Sequence, residues 1–172
     1  MYARLDFATL SPMDALDLAV LIEVEACNRY RKFAALIGHR FAGDAASVFA
    51  SMAENEAKHG KELQERRQAR FGDAPARVSL DDLFDVEAPE EGAPRRNMSA
   101  RQAFEIALSS EQKAFDFYDQ ALGHVTDPDI RALFTELRDE ETQHVRMVRE
   151  AIAALPPGAD EELDLDDDSP FL

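Results

Sequence analysis

Glu56-Ala57-Lys58-His59 and Glu141-Thr142-Gln143-His144 share one pattern, Glu-x-x-His, each inside a long helical segment. A Glu three residues before a His puts both side chains on one helix face, about one turn apart. Each motif follows a helical segment whose apolar stripe contains one glutamate, Glu23 or Glu111. Four such helices packed together would aim four carboxylates and two imidazoles at one point. That is the ligand set of a carboxylate-bridged di-metal site in a four-helix bundle.

The order of these residues repeats. An offset of 88 residues separates Glu23 from Glu111 and Tyr30 from Tyr118, and one of 85 separates the two Glu-x-x-His motifs. The chain therefore reads as two helical hairpins of one pattern, related by a pseudo-two-fold axis through the metal site.

Working outward, the first helix is expected from about Pro12 to Ile37, with Ser11 as N-cap and Gly38 as its end. Its stripe is Leu16, Val20, Glu23, Cys27, Tyr30, Ala34 and Ile37. The second starts near Asp44 and ends by Gly72, with Val48, Met52, Glu56, His59 and Leu63 on one face. Ser99 with Gln102 forms a capping box for the third, whose stripe runs Phe104, Ala107, Glu111, Ala114, Tyr118, Ala121 before Gly123. The fourth begins at Asp127-Pro128 and stops before Pro156-Pro157. Its stripe is Ile130, Phe134, Leu137, Glu141, His144, Val148, Ile152 and Leu155. Phe33, Phe49, Phe104 and Phe115 read as core.

Short connections make each pair an antiparallel hairpin. The stretch 72–98 is different, with Pro75, Pro89, Pro94 and an acidic run from Asp81 to Glu91. Extended at about 3.3 Å per residue, it can run the length of a helix, which rises about 1.5 Å per residue. Such a crossover makes the second and third helices parallel. Leu80 to Val86 would add a short helix or an apolar anchor.

A lone Glu-x-x-His is common on solvated helices. Two in register with apolar stripes, joined by Glu23 and Glu111, are not. A buried, unpaired carboxylate costs several kcal/mol, and no stripe supplies a Lys or Arg. Two divalent cations are the simplest partner, and a salt-bridged core is the competing reading. Glu25, Glu54 and Glu140 lie off the stripes and read as solvated. Tyr30 and Tyr118, two turns from their own glutamates, either support a ligand from a neighbouring helix or simply pack. Cys27 reads as a small core residue lining the site. His39 and His124 read as caps at helix C-termini.

With 45% apolar residues in 172, the chain is expected to be globular. Residues 1–155 form the expected bundle domain. Residues 156–172 form an acidic tail, expected to be disordered, with seven acids and no base. A net charge of −16 argues against nucleic acid and anionic membranes. No apolar run approaches the roughly 20 residues of a membrane span. The N-terminus reads as no signal peptide, since Asp6 breaks any apolar core. The single cysteine, Cys27, excludes an internal disulfide and a rubredoxin-type iron site. A cytoplasmic setting is expected. Apolar residues off the site stripe, such as Leu18, Leu21, Ile22 and Val24, suggest a homodimer or larger assembly.

These segments resemble the rubrerythrin and ferritin-like di-iron family. The run Glu23-Val24-Glu25-Ala26-Cys27-Asn28-Arg29-Tyr30 is similar to its signature of a ligand Glu followed seven residues later by Tyr. The resemblance covers about Ser11 to Leu155. It implies an all-α, ferritin-like antiparallel four-helix bundle with a long crossover between its second and third helices. It also implies metal and catalytic roles for Glu23, Glu56, His59, Glu111, Glu141 and His144. Glu56 and Glu141 would bridge, and Glu23 with His59, and Glu111 with His144, would be terminal. The implied cofactor is two Fe ions, though the ligand types also suit Mn or Zn. The implied chemistry is oxidation of diferrous iron by O₂ or peroxide, a non-haem di-iron oxidoreductase of ferroxidase or peroxidase type. Two departures stand out. The family's rubredoxin domain is absent, and Ala114 occupies the place of an extra glutamate tied to peroxide reduction. Electrons would then come from substrate Fe²⁺ or a separate donor protein. Iron binding or delivery without turnover, and docking of the tail that ends Ser169-Pro170-Phe171-Leu172 on a partner, are the alternatives.

Overall fold

The computed structural model describes residues 6–79, 86 and 88–162. Regular structure among them consists of four α-helices: α1 Pro12–Ile37, α2 Ala45–Phe71, α3 Ala100–Leu122 and α4 Pro128–Ala153. Their starts follow from local chemistry. Ser11 with Asp14, and Ser99 with Gln102, close capping boxes on α1 and α3. Asp44 and Asp127 accept from the first free amides of α2 and α4. Gly38 and Gly72 end α1 and α2 with φ of 75° and 55°, which favours glycine there.

Cross-helix contacts give the helix directions. Asp17 meets Arg67 and Cys27 meets Ala53, so α1 and α2 are antiparallel. Asp119 meets Arg138 and Glu111 meets His144, so α3 and α4 are antiparallel too. Arg66 pairs with Glu136, and Arg70 with Asp129, which sets α4 antiparallel to α2. It follows that α2 and α3 are parallel, and the chain between them must travel the length of the bundle.

That crossover runs along α1 in the same direction. Arg77 bonds Asp14 near the start of α1, Arg29 donates to the Pro89 carbonyl at 2.8 Å, and Glu91 pairs with Lys32 at 3.1 Å. Lys113 of α3 donates to the Ala88 carbonyl at 2.8 Å. Val86 and Ala88 are buried. Of the expected short helix or anchor, only Val86 is described, and it joins the core; residues 80–85 lie outside the described residues.

The core falls into two clusters. One gathers Leu16, Leu18 and Ile22 of α1 with Phe117 of α3 and Ile130 and Phe134 of α4. The other gathers Tyr30 and Phe33 of α1, Phe49 and Met52 of α2, Ala107 of α3 and Val148 of α4. On every helix the candidate ligands fall between the two. Tyr30 and Tyr118 are fully buried, Tyr30 stacked on Phe49 and Tyr118 edge-on to Phe134.

Several expectations change. Phe104 and Phe115 are half-buried, each lining a surface cavity, and Phe104 packs against the second cluster from its edge. His39 lies against the start of α2, 3.3 Å from Asp44 and 3.2 Å from Ser47, and does not cap α1. Leu18 and Ile22 are buried within the chain, so they offer no surface for a second copy. Residues 156–162 turn back to the start of α3, where Glu162 accepts from Asn97 and Gln102 and Asp160 meets Arg101. The rest of the tail, 163–172, lies outside the described residues. Among the described residues no helix is long and apolar enough to cross a membrane.

Phe49 is fully buried against Phe33 and Tyr30, with ring centroids at 5.3 and 6.0 Å. Phe49→Ala should cost about 3–5 kcal/mol of stability, read by denaturant unfolding. A loss below about 1 kcal/mol would contradict this packing.

Candidate metal centre

The ligand positions arise from helical spacing. Glu56 and His59 on α2, and Glu141 and His144 on α4, are three apart and share a face. Glu23 on α1 and Glu111 on α3 face them across each hairpin. Gly60 helps, because a side chain there would begin 3.4 Å from the Glu23 Cβ. The result is two triads, Glu23–Glu56–His59 and Glu111–Glu141–His144, whose ligand atoms lie within 4.8 Å of one another in each. The triads adjoin, since the His59 and His144 rings stack at 4.7 Å with 8° between their planes. All six residues singled out in the sequence are thus brought together, Glu23 with His59 and Glu111 with His144, each pair within its own hairpin.

The triads are not equally closed. His144 Nδ1 lies 3.2 Å from Glu111 Oε2 and 3.3 Å from Glu141 Oε2. His59 Nδ1 lies 4.0 Å from Glu23 Oε2 and 3.9 Å from Glu56 Oε2, beyond hydrogen-bond reach.

The four carboxylates are at most 2% exposed. Glu23 Oε2, both Glu56 oxygens, Glu111 Oε1 and His59 Nδ1 lack a hydrogen-bond partner. Native cores rarely tolerate such groups without compensation. Hard oxygen and borderline nitrogen donors converging in a buried space fit two divalent transition ions, whose charge balances four carboxylates. Glu23, Glu56 and His59 would hold one, and Glu111, Glu141 and His144 the other.

Without metal, protons take up this role. Burial, then the nearby Glu56, pushes Glu23 well above the usual carboxylate range. Burial pushes Glu111 up to about 8, against the opposing pull of His144. Burial also works to raise Glu56, but its interactions with His59 and Glu23 outweigh it and hold Glu56 below the usual carboxylate range. Burial alone would lower His144; its contacts with Glu111 and Glu141 win and push it up to about 11.

Two residues differ from their sequence reading. Glu140 is half-buried, and burial together with Glu136 raises it, so it is not a freely solvated carboxylate. Glu25 is tied to Arg29 at 3.0 Å. Adjacency to Glu141 placed Glu140 off the stripe; Glu136, one turn earlier on α4, was legible as a neighbour, but the burial of Glu140 was not. Cys27 is a core residue as expected; its thiol meets the Ala53 carbonyl at 3.4 Å, and burial raises its pKa.

The signs of these shifts set the pH response of metal-free protein. Glu111 is raised from 4.5 to about 8, so its contribution is full below 4.5 and lost as pH rises through 8. His144 is raised from 6.5 to about 11, so its contribution is full below 6.5 and lost toward 11. Lowered Glu56 loses its contribution only below its ordinary 4.5. Between about pH 5.5 and 8.5 metal-free stability should therefore fall as pH rises. Thermal melts should show the lower Tm at the higher pH, and added Fe²⁺ or Mn²⁺ should remove most of the difference. Equal melting at both pH values, with and without metal, would count against the buried centre.

Comparison with solved structures finds the same fold at low identity. An uncharacterized conserved protein from Magnetospirillum magnetotacticum MS-1 superposes with a TM-score of 0.66 at 24% identity, over 86% of this chain and 97% of that one. A hypothetical protein from Pyrococcus furiosus gives a TM-score of 0.53 at 20% identity, over 84% and 89% of the two chains. No curated protein matches. The sequence model of the Rubrerythrin family matches residues 14–152, which span all four helices and both triads. With that match over most of its length, the chain belongs to the Rubrerythrin family.

Proposed function

We propose that the protein is a di-iron oxidoreductase that oxidises ferrous iron with O₂ or peroxide. The observation that carries this reading is Glu56. It is 1% exposed with both carboxylate oxygens free of hydrogen bonds, between Glu23 and His59 of its own triad and close to His144 of the other. A carboxylate so placed is suited to bridging, and Glu141 occupies the matching place on α4. Bound iron would supply the electrons that reduce the oxidant.

The chain's own residues do the rest. Glu23 and Glu111 offer terminal carboxylates, and His59 and His144 offer Nδ1, the ring nitrogen that faces each triad. Burial excludes bulk water. Glu111, raised to about 8, and Glu23 hold protons when the site carries less positive charge and release them as it gains more. Ala114, one turn beyond Glu111, is fully buried and adds no carboxylate, which favours a ferroxidase-type reaction over peroxide reduction. Electrons come from substrate Fe²⁺ or a separate donor protein in this reading.

After anaerobic loading with Fe²⁺, elemental analysis should find about two ions per chain, as a site of this class holds. Replacing Glu56 and Glu141 together with Ala should abolish that stoichiometry. On exposure to O₂ or peroxide the loaded protein should consume oxidant over repeated rounds when more Fe²⁺ or a reductant is supplied. Binding without repeated turnover would replace this reading with that of an iron carrier.

A further inference from the structure

Two cavities reach the buried centre from different faces of the bundle. The first, of about 220 Å³, opens between α2 and α4. Met52 of α2, Phe104 of α3 and Val148 of α4 form its walls, and Glu56 and His144 close its inner end. Burial gives its direction. Ser51 is exposed and Met147 is 49% exposed at the mouth, whereas Met52 and Val148 are buried further in. The second cavity, of about 180 Å³, opens between α1 and α2 and ends on Glu56 and Cys27. Exposed Arg31 and Lys61 stand at its mouth.

The two differ in charge. Among the described residues that line the α2–α4 cavity, only Glu56 and His144 are ionisable; the neutral polar Ser51 and Asn55 are exposed, and the buried walls are apolar. Thioether, ring and aliphatic walls admit an uncharged molecule at little desolvation cost and oppose an ion. At about 220 Å³ it is below the roughly 300–1,000 Å³ of pockets that enclose drug-sized ligands. Two large apolar side chains border this cavity. Phe104 lies in the stripe of α3 yet is half-buried, and Met147 is a large apolar residue at the surface.

We propose that the α2–α4 cavity is the port through which a small uncharged molecule, O₂ or hydrogen peroxide, reaches the metal centre, with Met52 and Phe104 setting the largest molecule admitted. The identity of the molecule rests on the proposed function; the port itself does not.

Crystals of the metal-free protein pressurised with xenon test the port without turnover. Xenon should lie between Met52, Phe104 and Val148. Its absence there, or its presence only in the α1–α2 cavity, would overturn the proposal. Ser51→Trp, at an exposed position, and Ala151→Leu, within the cavity, should then close it, while Asn28→Trp narrows the other cavity as a control. After anaerobic Fe²⁺ loading all three should keep the wild-type metal content. In stopped-flow oxidation by O₂ or hydrogen peroxide, the two port variants should lose at least about tenfold in second-order rate constant, and Asn28→Trp should lose none. Unchanged rates in both port variants, or a loss confined to Asn28→Trp, would refute it. If the wild-type protein oxidises no iron, the proposed function fails, and the xenon result alone decides the port.

Discussion

The structure depends on keeping four carboxylates in the middle of an apolar core. Glu23, Glu56, Glu111 and Glu141 form a polar layer across the bundle, with one aromatic-rich cluster on each side. Any one of them, buried and uncompensated, would cost several kcal/mol. The layer survives because each helix contributes at the same level, so one set of counter-charges, metal ions or protons, serves all four. The two clusters then do the work of folding, and the layer between them is free to be chemically demanding.

This arrangement explains why so much was legible in the sequence. A glutamate in an apolar stripe is visible without any structure, and two hairpins repeating the same anomaly state the symmetry. Helix ends were legible for a similar reason. Ser11, Asp44, Ser99 and Asp127 are local signals, and a cap needs only its own next three residues. What could not be read was set by distant partners. His39 belongs to α2 because the α1–α2 turn folds it onto Asp44 and Ser47. Phe104 and Phe115 keep helical register with the core, yet each also borders a cavity and stays half-buried. Glu140 looks like one more surface acid until packing encloses it. The burial of Leu18 and Ile22 is likewise set by partners on other helices, which the stripe of α1 alone cannot show.

The hairpins repeat in pattern but not in detail. The α3–α4 triad is drawn together by His144, with both carboxylates within 3.3 Å, while the α1–α2 triad stays open at about 4 Å. Both cavities reach Glu56 of the looser triad, whereas only the α2–α4 cavity also reaches the tighter one, at His144. The half with less internal hydrogen bonding is therefore the half with more approach from outside, which joins the electrostatics of the site to its traffic.

The crossover has a consequence for alignment. Two hairpins that meet through apolar faces can slide along each other by a helical turn, about 5.4 Å, and still find greasy contacts. Such a slip would leave both clusters passably packed while moving Glu56 a full turn away from Glu141. Arg29 and Lys113 sit on different hairpins, yet each holds a peptide carbonyl of neighbouring residues, Pro89 and Ala88. That pair of bonds acts as a pawl between the halves. Together with Arg66–Glu136 and Arg70–Asp129 between α2 and α4, it opposes such a slip, so the fidelity of the centre draws on cations that never touch it.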